Sequence, residues 1–450
     1  MADRYSKKGF WNLVHNFEGD KVIWMIVLIL IMFSILAISS STPLLALQTN
    51  STRLAIIRGQ LMIVSLGLFF IILIYNIKSI GFIRRLSQLG YALSFFLLFC
   101  LLIHIRLPFF KALVINNAYR VILIGGFQLH VFEVVKIAMI MYLAWAVDAY
   151  KRDDFVIANL LSKTQYFAFM GKDFWKKAVY IYIPILTVCV MTIGGSMSSA
   201  LFIGMIMGIT ILIGGIKIKE LIPFIFIAII LIAGCIGIHY VSGGKLFKHV
   251  GSAINRIGNN PEQELKDAVG TADFNKLLDK YRQPISAKVA VSEGGLIGKG
   301  PGKSTQRYIV PIMFEDYMYA FIIEEYGLFG AMIILILYGS LLARGAIVAK
   351  HCGGIFSKTT IAGLIMLISG QALLHILINV DLGPLTGQTL PMISHGNSSF
   401  IMFSIAFGII LSISRMAKNK IELETKKIND NIPTDEIRER MRDLSQVDYL

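Results

Sequence analysis

The chain has 450 residues, 56% of them hydrophobic and 16% charged, with a mean hydropathy of +0.68. Soluble domains carry about 25% charged residues, so the composition excludes an ordinary soluble enzyme and indicates a membrane protein. The net charge of +15 does not signal nucleic-acid binding, because the basic residues sit in short loops between apolar runs, as the positive-inside rule requires.

Residues 1–21 are mostly polar and read as a cytoplasmic segment rather than a cleavable leader, since the apolar run after them is long enough to span a bilayer. About ten transmembrane helices follow, at 22–41, 54–77, 88–105, 131–149, 178–195, 198–216, 221–240, 317–343, 359–381 and 396–415. The third is short and is followed by Arg106 and Pro108; the stretch 108–130 reads as re-entrant or interfacial rather than as plain loop. Cys100, Cys189 and Cys235 lie inside apolar runs and Cys352 in a basic loop, with neither a zinc spacing nor a disulfide framework.

Lysines and arginines set the orientation. Arg4, Lys7 and Lys8, then Lys78, Arg84 and Arg85, Lys151 to Lys177, Lys217, Lys219, Arg344 and Lys350 all fall on the side of the N-terminus. The short loops on the other side, 42–53, 196–197 and 382–395, hold Arg53 alone. Both termini are therefore expected in the cytoplasm, with residues 416–450 as a tail of mixed charge. The fold class expected is an all-α polytopic membrane protein with one transmembrane domain, 22–415, and one large extracytoplasmic loop, 241–316. Within that loop, 261–282 reads as an amphipathic helix opened by Pro261.

The loop ends in GGLIGKGPGKSTQRYIVPIMFEDYMYAFIIEEYGLFGA, beginning at Gly294. A nucleotide-binding loop fails on spacing, because Ile297 stands where the pattern needs glycine. A flexible backbone flanked by Lys299, Lys303 and Arg307 instead suits close approach to a bulky pyrophosphate, although a hinge with solvated charges fits equally. Asp316, beside Glu315 at the membrane boundary, reads either as a partly desolvated general base or as an acid favoured at a helix N-terminus. Glu324 and Glu325 lie two turns further on, at a depth expected to be well inside the bilayer. Glu133 and Lys136 are i,i+3 neighbours on one intramembrane face, suited to pairing inside the bundle or to contact with an anionic substrate. Arg58 and Gln60 read as anchors. The Gly-, Pro- and Ser-rich segment 383–399, with Ser394, His395 and Ser398, suits a re-entrant turn lining a cavity.

Three ordered motifs resemble the SEDS (shape, elongation, division, sporulation) family: RVILIGGFQLHVFEVVK at 120–136, the Gly-rich run through Gly327, and QALLHILINVDLGPLTGQTLPMISHGNSS at 371–399. The resemblance leans toward the division members over the elongation members. It implies a peptidoglycan glycosyltransferase that polymerises lipid II, a disaccharide-pentapeptide on undecaprenyl pyrophosphate, at the outer face of the inner membrane and in septal synthesis. It also implies Asp316 as the catalytic residue, with substrate contacts from Lys136, Glu133, Lys303, Arg307, Glu324, Glu325, Ser394, His395 and Ser398. A divalent cation, Mg²⁺ or Mn²⁺, could assist; a class B penicillin-binding protein transpeptidase and other divisome proteins are the implied partners. A lipid II flippase and a non-catalytic divisome scaffold are the rival readings. Departures from the family pattern fall at His130-Val131-Phe132, at Gly194 to Ser199, at His375 and at Asn397.

Overall fold

The computed structural model describes residues 18–41, 46, 50–115, 118–242, 261–271, 273–309, 313–383 and 386–431. Every expected span has a helix. These are α1 (Lys21–Ser41), α2 (Arg53–Tyr75), α3 (Ile80–Leu102), α4 (Val131–Arg152), α5 (Asp173–Ile193), α6 (Met197–Ile213), α7 (Ile218–Val241), α10 (Met318–His351), α11 (Ile355–Asn379) and α12 (Asn397–Asn431), with α8 (Pro261–Asp267) and α9 (Phe274–Gly294) in the large loop. Side-chain caps start several of them. Asp20 accepts from the amides of Val22 and Ile23, Thr52 from Ala55, and Ser196 from Ser199, satisfying amides that hydrocarbon cannot.

Residues 106–115 and 118–130 depart from helix. They form an antiparallel meander of β1 (Arg106–Leu107), β2 (Phe110–Ile115), β3 (Ala118–Ile124) and β4 (Phe127–His130), which leads directly into α4. The Gly-Gly pair between the short runs RVILI and FQLH is the hairpin signal that the span count passed over. The expected helix 261–282 is also interrupted. The chain leaves α8 after Asp267, turns through Gly270 at φ +84°, and resumes as α9 from Phe274.

Small residues let the helices approach. A Cβ at Gly67 of α2 would lie 2.5 Å from the Phe400 ring of α12, and one at Gly363 of α11 2.7 Å from Ile140 of α4. Two of the departures from the family pattern also pack on each other: a Cβ at Gly195 would fall 2.6 Å from the Phe132 ring.

The geometry of α10 corrects one expectation. Asp20 below α1 pairs with Arg344 at 2.6 Å, and Ser40 at the other end of α1 donates to Glu325 at 2.6 Å. The seventeen residues that follow Gly327, up to Arg344, rise roughly 26 Å at ~1.5 Å each, close to the ~30 Å hydrocarbon thickness. Glu324 and Glu325 therefore stand at one end of the span, about a bilayer thickness from Arg344, not at its middle. Two residues past Glu325 the helix breaks at Gly327 (φ 67°, ψ −172°), and it folds back far enough for the Tyr319 hydroxyl to reach the Ala331 carbonyl at 3.2 Å.

Candidate active site

The break at Gly327 leaves helix donors and acceptors without intrahelical partners, and the Gly-rich loop supplies them. Leu328 and Phe329 donate to the carbonyls of Gly295 and Leu296, while Lys299 and Gly300 donate to those of Glu324 and Glu325. Gly298 makes this possible: its φ is +84°, and a Cβ there would lie 2.3 Å from the Glu325 carbonyl oxygen. Both glutamate side chains are fully buried and serve the same loop. Glu324 accepts from Lys299 Nζ at 2.7 Å, Ser304 Oγ at 2.5 Å and the Thr305 amide at 2.8 Å. Glu325 accepts from the Gly302 amide at 3.0 Å besides Ser40. Arg307 is buried and donates to the Ser40 carbonyl at 3.1 Å, whereas Lys303 is exposed at the loop's edge. Burial alone would lower the Lys299 ammonium, but its hydrogen bonds to Glu293 and Glu324 outweigh that and hold it above its ordinary value.

A second assembly forms around 386–399. This segment dips into the bundle as the sequence suggests: the Ile393 carbonyl meets Ser34 at mid-length of α1 at 3.1 Å, and the Pro391 carbonyl accepts from Tyr338 of α10. It is stitched to the turn before α10. Ser394 Oγ donates to the Glu315 carbonyl at 2.8 Å, and the His395 amide to Phe314 at 2.9 Å. Asn379, at the end of α11, donates to the Asp316 carbonyl at 3.1 Å and accepts from the Ala320 amide at 2.9 Å.

This stitching places Asp316, half-buried, against Gly387, where an added Cβ would sit 4.0 Å from both carboxylate oxygens. The next residue, Gln388, reaches inward. Its Oε1 accepts from Lys136 Nζ at 3.1 Å, its Nε2 donates to Ser199 at 3.0 Å, and its carbonyl lies 2.7 Å from His375 Nδ1. Lys136 completes its three hydrogen bonds with Glu133 at 2.7 Å and Gln371 at 2.6 Å. Two adjacent residues thus join the Asp316 carboxylate to Lys136. At the rim, Ser398 accepts from the His130 amide at 3.0 Å, and His395 Nδ1 stands 3.9 Å from Glu315. An open groove of about 270 Å³ runs from His395 and Asn397 along Ser51, Ala55, Ile56, Gly59 and Ile63 of the α2 flank.

The predicted site residues therefore divide. Asp316, Glu133, Lys136, Ser394, His395 and Ser398 gather around the re-entrant segment, while Lys303, Arg307, Glu324 and Glu325 belong to the docked loop. Gln371, Asn379, Gly387 and Gln388 had not been singled out. Gln371 and Gln388 were detectable only as amides facing a charge that one carboxylate could not satisfy. Among the described residues, no group of three or more His, Cys, Asp or Glu side chains is placed to hold a metal ion.

Comparison with known proteins agrees with this architecture. Stage V sporulation protein E of Bacillus subtilis is 25% identical over 401 residues, covering 89% of this chain and 98% of the relative. A probable peptidoglycan glycosyltransferase FtsW of the same organism is 28% identical over 306 residues, 68% of this chain and 69% of the relative. The crystal structure of Thermus thermophilus rod shape determining protein RodA superposes with a TM-score of 0.53 at 19% identity, over 89% of this chain and 98% of that one. A chain from a peptidoglycan synthase complex that couples polymerization and crosslinking gives 0.58 at 18% identity, over 89% and 98%. Both superpositions speak to fold. The cell cycle protein family FTSW_RODA_SPOVE matches residues 20–419, and with nearly the whole membrane domain inside that match, the chain belongs to this family.

Proposed function

We propose that the protein is a peptidoglycan glycosyltransferase that extends glycan strands from lipid II at the outer face of the membrane. The observation that carries this reading is the Asp316 carboxylate, poised against Gly387 at the mouth of a re-entrant segment whose next residue is fastened to Lys136. Asp316 takes the proton from the acceptor sugar hydroxyl as its oxygen bonds to the donor's anomeric carbon, and the bond from that carbon to the lipid pyrophosphate breaks. Lys303 at the loop's edge offers a charge to the leaving group. The re-entrant segment sets where Asp316 stands, and the Lys136 network sets where that segment stands. The groove along α2 is apolar on its helical side and ends at His395, which suits a substrate with a lipid tail and a polar head. A divalent cation, if bound, would find hard oxygen ligands in Glu315 and Asp316 and would supply positive charge to offset the leaving pyrophosphate.

Relatives named FtsW and MrdB bear the glycosyltransferase name, and septal synthesis with a class B penicillin-binding protein is the setting we assign to this chain. The intramembrane charges support an enzyme over a flippase, because Lys136 is satisfied by Glu133, Gln371 and Gln388 in a closed network. The test is purified protein with labelled lipid II, with and without the transpeptidase, read as glycan chain length. Polymer is the expected result; no polymer under either condition would reject the reading.

A further inference from the structure

The meander between α3 and α4 has an amphipathic design that the catalytic reading does not use. Antiparallel partners share a face of the sheet, so the register places Leu107, Phe110, Ile124 and Phe127 in one cross-strand row on one face. The adjoining row on the other face is Arg106, Lys111, Leu123 and Gln128. Deeper on the apolar face, Ala112 and Ile122 are buried in the cluster that contains Leu97, Leu98 and Leu101 of α3. The outer row has no such cover: Leu107, Ile124 and Phe127 are 55%, 41% and 40% exposed, and Phe109 at the β1–β2 turn is 81% exposed.

Two features indicate what covers that row. It continues a surface that already faces hydrocarbon, because the Phe110 ring lies 6.5 Å from that of Phe96, and Phe96, Phe99 and Leu102 are exposed along the flank of α3. Gly125 and Gly126, at φ +55° and +94°, make the two-residue turn that keeps Ile124 and Phe127 in register. The Gly125 amide donates to the Phe109 carbonyl at 3.2 Å, so both turns form one apolar tip. On the opposite face Arg106 and Lys111 stand directly across from each other, both exposed. Like charges in that register destabilise a sheet unless anions lie between or beside them, and lipid phosphates at the membrane surface provide such anions.

We propose that this sheet is seated in the outer leaflet, with its Leu107–Phe127 row and Phe109 among the acyl chains and Arg106 and Lys111 at the phosphates of the bulk phospholipid. An apolar face against the acyl boundary and cations on the other is the arrangement of interfacial amphipathic elements. The seat also bears on the site. β4 runs straight into α4, which carries Glu133 and Lys136, and the His130 amide is held by Ser398. The depth of the sheet therefore fixes the outer end of the helix on which the lysine network is built.

The experiment uses full-length protein with its four native cysteines replaced, carrying Phe109→Cys, Phe127→Cys or Gln128→Cys in turn. Each is labelled with an environment-sensitive fluorophore and reconstituted in nanodiscs of phosphatidylethanolamine and phosphatidylglycerol. Labels at 109 and 127 should emit at shorter wavelength, be quenched by nitroxide on shallow acyl carbons and be shielded from iodide, with the label at 128 showing the reverse. Only variants that elute with the parent's profile are read, and position 109 lies on a turn where no packing depends on the side chain. Equal iodide quenching at 127 and 128 would overturn the proposal. So would shielding at 127 that appears only when the transpeptidase is added, since the face would then be a protein dock.

Discussion

Replacing Lys136 by methionine separates a structural charge from a substrate-binding one. The ammonium is buried, 3% exposed, and each of its three donors is used, on Glu133, Gln371 and Gln388. Methionine keeps the volume and removes every one of these bonds. The Glu133 carboxylate is then left without its counter-charge, and breaking a buried pair by removing one partner costs about 3–5 kcal/mol. The Oε1 atoms of Gln371 and Gln388 lose a charged donor as well, at roughly 1–3 kcal/mol for each acceptor left unsatisfied. Glu133→Gln added to Lys136→Met removes the orphaned charge, so the double variant should regain about 2–4 kcal/mol of the loss. Thermal unfolding in detergent reads stability, and polymer formed from labelled lipid II reads activity. Stability should recover in the double variant while activity does not, because Gln388 still lacks its bond to Lys136 and Gly387 is held less firmly against Asp316. A double variant no more stable than Lys136→Met alone would refute the reasoning, as would a single variant as stable as the parent.

Further outcomes follow from the same geometry. Gly387→Ala has room for its methyl group but must hold φ at +66°, which costs roughly 1–2 kcal/mol for an ordinary residue; unfolding temperature should fall slightly and polymer yield strongly, and an unaltered yield would detach Gly387 from the site. Gly298→Val would drive a side chain into the Glu325 carbonyl at 2.3 Å, so limited proteolysis should cut near Lys299 in the variant and spare the parent. The raised Lys299 ammonium contributes stability that is fully present below its ordinary value near 10.4 and is lost only as pH rises through its higher folded value. Loop protection should therefore be flat from neutral to mildly alkaline pH and decline beyond the ordinary lysine range. A cysteine at Gly270 should label from the outer face alone; labelling from the cytoplasm would invert the topology.

The ten helices were legible because a run of about 20 apolar residues has few alternatives to a span. The Glu133–Lys136 pair was legible because charges inside a membrane are costly and need a reason, whereas Asp316 stood out as catalytic only through the motif that carries the family resemblance. The sheet was missed because its strands are apolar and short, and beside long spans they read as interrupted helix. Glu324 and Glu325 were set too deep because counting residues from Asp316 assumes one straight helix, and nothing in EEYG signals that the Gly-rich loop would replace the helix's own hydrogen bonds at Gly327. The amides at Gln371, Asn379 and Gln388 stayed silent because an amide acquires its role only from the charge or backbone group that the fold brings to it.

The most direct test of the account is Asp316→Asn in a detergent assay with labelled lipid II, where there are no two sides to transport between. Asparagine keeps the size and most hydrogen bonding of the carboxylate but loses its basic oxygen, and a positioned base contributes about 10²–10⁴-fold. The Asn379 contact to the Asp316 carbonyl is to backbone and survives the change, so the variant should fold, bind the transpeptidase and show polymerisation reduced by at least that factor. Undiminished polymer from Asp316→Asn would contradict the central claim.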